Sequence, residues 1–452
     1  MLKDNLEFFK DHPISVGQKQ TNLSDYEILE SNYSDVFETA IKHKKIALLI
    51  NDPQLFYFFL THLDGIVDEV LILSQVFSNG DIKSFFSETQ ISCCVSDLDS
   101  FDLFKDITWV NTTKVIDNKN SVALQEEKKS TLWIIPTSGT TNRPKLIKHS
   151  TDSLISRVKV DKEKGKELIW GNLYDHTRFA GIQVLLQGLI GGSTLVLDNK
   201  SNIEEKLNAL IENHCNALSG TPTIWRNILM LPSAKELKLK QITLGGEIID
   251  QAILNSLRKI YPNARITHIY ALTEIGVAFS VSDSRAGFPI EFLNEEKIKS
   301  KIKISESNTL LIKPSLQNVD PHIKEKLDSN GYFNTEDIVK VIEDRVYFYG
   351  RDNKCINVGG HKVHPEEIEQ FLLRHDKIQS VRILAKENPI VGNLIIAEIV
   401  ASNISEEDQP SVKKELKEYC LSHFPKYKVP YQFKFVNHIE YNKTGKINRN
   451  GV

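Results

Sequence analysis

Short apolar runs that end in turn residues recur through most of this chain, with amphipathic helix-like segments between them. Ile46–Ile50, Glu69–Leu73, Leu132–Ile135, Ser193–Leu197, Gln241–Gly246 and Arg265–Leu272 are each of strand length. Gln54–Leu63 repeats aromatic and leucine positions at helical spacing. Strands alternating with helices need crossover connections, and these place the strands in parallel with helices covering the sheet. The predicted class is therefore α/β. In open sheets of this kind ligands bind outside the carboxyl ends of the strands, so the turn after each strand is where chemistry is expected.

A different pattern begins after Val346–Asn353. His364–His375 reads as an amphipathic helix, residues 381–387 and 393–401 as two strands, and Gln409–His423 as a second helix followed by Pro425 and Pro430. This predicts a large domain over 1–352, built of stacked parallel-rich α/β subdomains, and a small α+β domain over 353–452. The 452 residues are ample for two domains. Lys and Arg number 56 against 59 Asp and Glu, a net charge of -3. That balance supplies no global field for holding nucleic acid or an anionic membrane surface. The five cysteines are odd in number and lack CxxC spacing, so a disulfide framework or zinc site is not expected. The charged start MLKDNLEFFKDH does not read as a secretory signal, and no apolar stretch is long enough for a membrane span. The expectation is a soluble cytoplasmic protein.

The strongest local signal is Thr137-Ser138-Gly139-Thr140-Thr141-Asn142-Arg143-Pro144-Lys145, directly after the Leu132–Ile135 strand. Clustered hydroxyls, a glycine and turn N–H groups can wrap phosphate oxygens, with Lys145 adding positive charge. It is not a Walker A loop, and no GxGxxG follows a strand, which argues against an unrelated dinucleotide-binding fold. These nine residues resemble the phosphate loop [ST]SG[ST]TGxPK of the adenylate-forming superfamily, which includes acyl-CoA synthetases, peptide-synthetase adenylation domains and firefly luciferase. Further matches follow in order. Gly245-Gly246-Glu247 resembles the GGE turn, and Tyr270-Ala271-Leu272-Thr273-Glu274 resembles Y-G-x-T-E. Gly331–Asp337 resembles G-[WY]-[FY]-x-T-G-D, and Gly350-Arg351-Asp352-Asn353 resembles the hinge. Ile356–Val363 resembles the glycine loop behind the hinge, and Lys443–Arg449 the carboxy-terminal TGKxxR. Residues 1–130 share only the texture of the family and are shorter than its usual amino-terminal part.

The resemblance implies ATP-dependent activation of a small carboxylic acid to an acyl-adenylate, with pyrophosphate released. Transfer to a thiol would follow, either on coenzyme A or on the phosphopantetheine of a carrier protein supplied in trans. It assigns the β- and γ-phosphates to Thr137, Ser138, Gly139, Thr140, Thr141 and Lys145. The nucleotide and acid would also meet Gly246, Glu247, Tyr270 and Ala271, and the ribose Asp337 and Arg351. Thr273 would touch the α-phosphate, Glu274 would hold Mg²⁺, and Lys446 would bridge carboxylate and α-phosphate. Rotation of a mobile small domain about Asn353 would then withdraw Lys446 and bring Gly359, Gly360 and Lys362 toward the site.

Several residues depart from the family pattern. Asn142 replaces a glycine but tolerates left-handed φ. Ala271 adds a methyl beside the acyl pocket, and Asn353 changes the charge of the hinge. Glu336 replaces the glycine before Asp337 and would be strained if that position needs φ > 0. Arg178, with Gly181 three residues on, stands where relatives carry His-x-x-Gly or an amine-binding Asp. A guanidinium there suits an oxyanion on the substrate; a structural ion pair is the other reading. Gly245 and Trp225 complete the expected acid pocket, although an aromatic such as Trp225 is more often core. An alignment shifted by three residues would put Asp175 at the amine position and allow an amino acid. A catalytically weakened relative that binds nucleotide or acyl ligand as a regulatory or assembly subunit is the alternative class.

Overall fold

The computed structural model describes residues 2, 4, 14–16, 19–21, 32–75, 77–99, 104–113, 130–137, 144–158, 160–198, 200, 202–294, 301–314, 321–352, 355–388, 392–401 and 404–439. The apolar runs form strands, as their patterning requires. Lys45–Leu49, Glu69–Ile72, Cys93–Ser96 and Thr108–Asn111 are parallel, and Leu132–Thr137 joins beside Glu69–Ile72. Lys145–Ser150 closes this six-stranded sheet as an antiparallel edge.

A second sheet carries eight strands. Ile169–Asn172 lies between Thr194–Leu197 and Ala217–Gly220, and Gln241–Leu244 and Arg265–Leu272 follow in parallel. Gly276–Val281 turns back antiparallel at one edge. The connections are helices whose starts are fixed by caps at the strand ends. Asp52, Thr221 and Asp250 accept hydrogen bonds from Leu55, Ile224 and Ile253 N–H groups, and proline stands in the first turn of Pro53–His62 and Pro222–Met230. The long apolar stretch after Arg178 divides into the helix Phe179–Gly191 and the strand Thr194–Leu197, with Gly192 in the left-handed conformation between them. Among the described residues no helix is long and apolar enough to cross a membrane.

A five-stranded antiparallel sheet, from Phe288–Pro289 to Arg345–Arg351, follows the parallel layers. Its anchor is Arg345, 1% exposed. The guanidinium donates to the carbonyls of Arg285, Ala286 and Gly287 and to Asp283 at 2.6 Å. All of its charge is thereby matched inside the protein, which a buried arginine requires. From Ile356 onward the chain builds another sheet, Ile378–Asn388 against Gly392–Ala401, with the helices Pro365–Leu372 and Gln409–Leu421 packed on a core of its own.

Candidate active site

One cavity of about 1520 Å³ opens at the carboxyl ends of both parallel sheets, where the α/β pattern places it. Turns distant in sequence meet there. Thr137 ends its strand opposite Lys145, and its hydroxyl donates to the Lys145 carbonyl at 3.3 Å. Both residues line the cavity, while Ser138, Gly139, Thr140 and Thr141 lie outside the described residues. Gly245, Gly246 and Glu247 line it after the Gln241 strand. Gly246 has φ 83°, which suits its lack of a Cβ. The Glu247 carboxylate accepts from Thr223 N–H at 3.0 Å and Thr223 Oγ1 at 2.7 Å, tying the glycine turn to a helix start.

Tyr270, Ala271, Thr273 and Glu274 line the cavity at the hairpin from Arg265–Leu272 to Gly276–Val281, with a register break between Tyr270 and Ala271 that re-aims the strand end. The Tyr270 ring stacks on Phe279 and Phe348, at centroid distances of 5.2 and 4.9 Å, and its hydroxyl donates to Asp337. Burial first, and then the Asp337 charge, raise the tyrosine well above its ordinary range, so it stays a donor. Asp337 is 9% exposed, and its other oxygen accepts from Arg351 Nε at 2.9 Å. Burial alone would lower the Arg351 pKa, but the Asp337 carboxylate outweighs it and the guanidinium stays charged.

Glu336 does adopt φ 61°, the conformation the family's glycine would take freely. Its N–H donates to Asn334 Oδ1 at 2.9 Å. A left-handed non-glycine residue costs about 1–2 kcal/mol. Glu336→Gly is accordingly expected to gain about 1 kcal/mol, read as a rise in the urea midpoint.

Arg178 lines the cavity, but its guanidinium has structural partners. Nη1 donates to the Pro136 carbonyl at 3.0 Å, Nε lies 3.9 Å from Asp175 Oδ2, and the group sits 4.4 Å over the Phe77 ring. It therefore braces the end of the strand Leu132–Thr137. Nε is buried without a hydrogen-bond acceptor among the described residues. Asp175 accepts from Ser74 Oγ at 3.0 Å and from Thr177 N–H and Oγ1 at 2.9 and 2.6 Å.

Two expected pocket residues stand elsewhere. Trp225 is 0% exposed, outside the cavity lining, and donates to the Thr243 carbonyl at 3.2 Å. The helix capped at Thr221 turns it under the sheet into the core. Gly181 is also outside the lining; a Cβ there would lie 2.2 Å from the Asp175 carbonyl, so the glycine serves close packing. Gly359, Gly360 and Lys362 form an exposed hairpin outside the lining, with Lys362 paired to Asp352 at 2.9 Å. Glu366, Gln370 and Leu373 face the cavity from the small sheet's side instead. Asn353 and Lys446 lie outside the described residues. Sequence reasoning missed the Arg226–Asp250 ion pair and the polar positions Ser219, Thr243 and Thr267, all on the cavity wall.

Residues 70–303 match the family model described as AMP-binding enzyme, and 367–446 the AMP-binding enzyme C-terminal domain. The chain is 25% identical to a 3,4-dihydroxybenzoate–[aryl-carrier protein] ligase of Bacillus anthracis over 69% of this chain and 71% of that protein. It is 22% identical to a 2-succinylbenzoate–CoA ligase of Staphylococcus epidermidis over 97% and 94%. Its fold matches o-succinylbenzoate CoA synthetase from Bacillus subtilis in complex with its acyl-adenylate intermediate, at TM-score 0.75 and 16% identity, over 99% of this chain and 96% of that one.

Proposed function

The chain belongs to the AMP-binding enzyme family, and from that premise we propose that it is an AMP-forming acid–thiol ligase. It joins a carboxylic acid to the α-phosphate of ATP with release of pyrophosphate, then passes the acyl group to the thiol of coenzyme A or of a carrier protein's phosphopantetheine. The observation that carries this reading is the convergence of Thr137, Lys145, Thr273, Glu274 and the Tyr270–Asp337–Arg351 network on one cavity.

The roles follow from chemistry. Asp337, fixed by Tyr270 and Arg351, offers its remaining lone pairs to ribose hydroxyls. Thr137, Lys145 and the loop Ser138–Thr141 take the β- and γ-phosphates, and Thr273 the α-phosphate. Among the described residues no group of three His, Cys, Asp or Glu could hold a metal alone, which fits Mg²⁺ held by one carboxylate, Glu274, together with substrate phosphates. When bound there the ion would neutralise charge on the departing pyrophosphate. Lys446, carried by a lobe that turns at Asn353, bridges the two reacting anions. Gly359, Gly360 and Lys362 meet the thiol arm after the turn. The free cysteines, four of them buried, suit the reducing cytoplasm.

An amino acid is disfavoured because Asp175 already accepts three hydrogen bonds and lies beside a guanidinium. Pyrophosphate release from MgATP with a panel of acids tests the proposal. Turnover with at least one acid, and thiol-dependent release of product, are expected; no turnover with any acid would favour a nucleotide-binding relative. Arg178→Met is expected to lower kcat/KM for the acid about 10-fold by loosening the Pro136 strand end and removing the cation. Steady-state kinetics across the panel check it, and unchanged kinetics with every acid would remove Arg178 from the site.

A further inference from the structure

The helix Pro222–Met230 is fixed on its core side before it meets the cavity. Thr221 Oγ1 accepts from Ile224 N–H at 3.1 Å, and proline stands in the first turn. Trp225 donates to the Thr243 carbonyl at 3.2 Å, and its ring meets Tyr261 edge-on at 6.5 Å. One buried indole thus ties this helix both to the strand Gln241–Leu244 and to the end of the helix Gln251–Ile260.

The turn Gly245–Asp250, which joins that strand to that second helix, is made of different material. It starts with two glycines, whose backbone gives up more freedom on ordering than any other. Such a turn needs outside support to keep one shape. Its placement is also exacting: a Cβ at Gly245 would lie 2.9 Å from Ile269 Cγ1, so the turn rests on the residue just before Tyr270. A shift of the turn is therefore felt at the head of the Tyr270–Asp337–Arg351 network.

The helix grips the turn at two points. Thr223 and Arg226, three apart and so on one helical face, meet Glu247 and Asp250, three apart in the turn. All four line the cavity. Arg226 Nη2 donates to Asp250 Oδ2, and the two side chains are 13% and 9% exposed. Asp250 Oδ1 meanwhile caps the next helix, accepting from Ile253 N–H at 3.1 Å. Capping needs only that one oxygen, and a serine would supply it. The arginine and the second oxygen go beyond capping, and withdrawing both charges from water is costly. What the pair adds is a fixed seat for the turn on a rigid helix.

We propose that Arg226 and Thr223 are positioning residues: gripping Asp250 and Glu247, they hold the glycine turn in its binding shape before the nucleotide arrives. This rests on the acid-activating reading above, which sets Gly246 and Glu247 beside the nucleotide. With the grip broken, only those molecules whose turn is in place bind at once, and the apparent affinity falls by that fraction. The complex, once formed, has the same geometry as before. The loss therefore falls on KM, and turnover at saturation is kept.

Removing one charge alone would strand the other, so the test removes both: Arg226→Met with Asp250→Ser in the full chain, the serine keeping the cap. AMP binding is read by calorimetry well below the melting temperature, amide hydrogen exchange over Gly245–Asp250 beside it, and ATP–pyrophosphate exchange at saturating ATP. The double variant is expected to bind AMP about 10-fold more weakly, to exchange the turn amides about 10-fold faster, and to keep kcat within about twofold. Thr223→Val, which loses one hydroxyl and keeps its shape, is expected to weaken AMP about threefold and serves alone if the double variant does not fold. Tyr261→Phe loses a hydroxyl bonded to the Ala234 carbonyl at 2.6 Å, away from the turn. It is expected to lower the melting temperature and leave AMP affinity unchanged. AMP affinity that neither the double variant nor Thr223→Val moves overturns the proposal. So does a kcat that falls while AMP affinity holds, or an equal loss of affinity in Tyr261→Phe. Wild-type protein that binds no AMP, with the turn still loosened in the double variant, would instead overturn the nucleotide-binding reading while the grip itself stands.

Discussion

Lys446→Ala is expected to reduce acid-dependent ATP–pyrophosphate exchange by about 10²–10³-fold while leaving the protein folded. The first half-reaction drives a carboxylate against a phosphate that already carries charge, so its barrier is largely electrostatic. A single ammonium between the two anions, in a cleft from which water is partly excluded, acts far more strongly than in bulk solvent. No other cation is assigned to this point: Lys145 is proposed for the outer phosphates, Arg351 is bound to Asp337, and Arg178 is bound to Pro136. Lys446→Arg is expected to recover only part of the rate, because a planar fork does not replace a compact point charge. If the lobe turns as proposed, thiolysis of a chemically prepared acyl-adenylate needs no Lys446 and is expected to survive the substitution. Exchange that persists at the wild-type rate in Lys446→Ala would remove the lysine from the chemistry.

The strands and the turns that follow them were legible because both signals are local. Gln241-Ile242-Thr243-Leu244 and Arg265–Leu272 are apolar enough to pair in a sheet, and glycine or hydroxyl residues follow at once where a phosphate can be met. The alternation of Gln241, Thr243 and Gly245 with Ile242 and Leu244 was also in plain view, as was that of Arg265 and Thr267 with Ile266. Its meaning was not, since a period of two predicts a wetted face without saying whether solvent or a ligand wets it. Trp225 was misplaced because an aromatic three residues into a helix faces whichever side the cap dictates. Thr221 and Pro222 set that direction only in three dimensions. Arg178 left two readings open, a substrate oxyanion or a structural partner, because its acceptor, the Pro136 carbonyl, stands 42 residues away and belongs to the backbone. Arg345 carried no signal for the same reason: three of its acceptors are main-chain carbonyls some sixty residues upstream. Glu336 shows the opposite case. Comparison with a motif flagged it, and the backbone angle then showed which of its two readings holds.

Asp337→Ala is expected to raise the KM for ATP about 10–100-fold, the worth of charged hydrogen bonds to ribose, and to destabilise the fold by about 2 kcal/mol. Both effects come from one carboxylate with three claims on it. Tyr270 and Arg351 each take one oxygen, so neither oxygen can swing away and the outer lone pairs are held ready for a ligand. Removing the carboxylate leaves the tyrosine hydroxyl without its acceptor and the guanidinium without its counter-charge, in a region where the arginine side chain is 34% exposed. That partial exposure is why the stability loss stays below the 3–5 kcal/mol of a fully buried broken pair. Tyr270→Phe separates the two consequences. It removes a single neutral donor and keeps both charges, so it is expected to cost about 1 kcal/mol and to leave ATP binding within a few-fold. Urea unfolding and ATP titrations on the two variants check the division. Equal KM changes in both would mean that the tyrosine hydroxyl, rather than the carboxylate, meets the nucleotide.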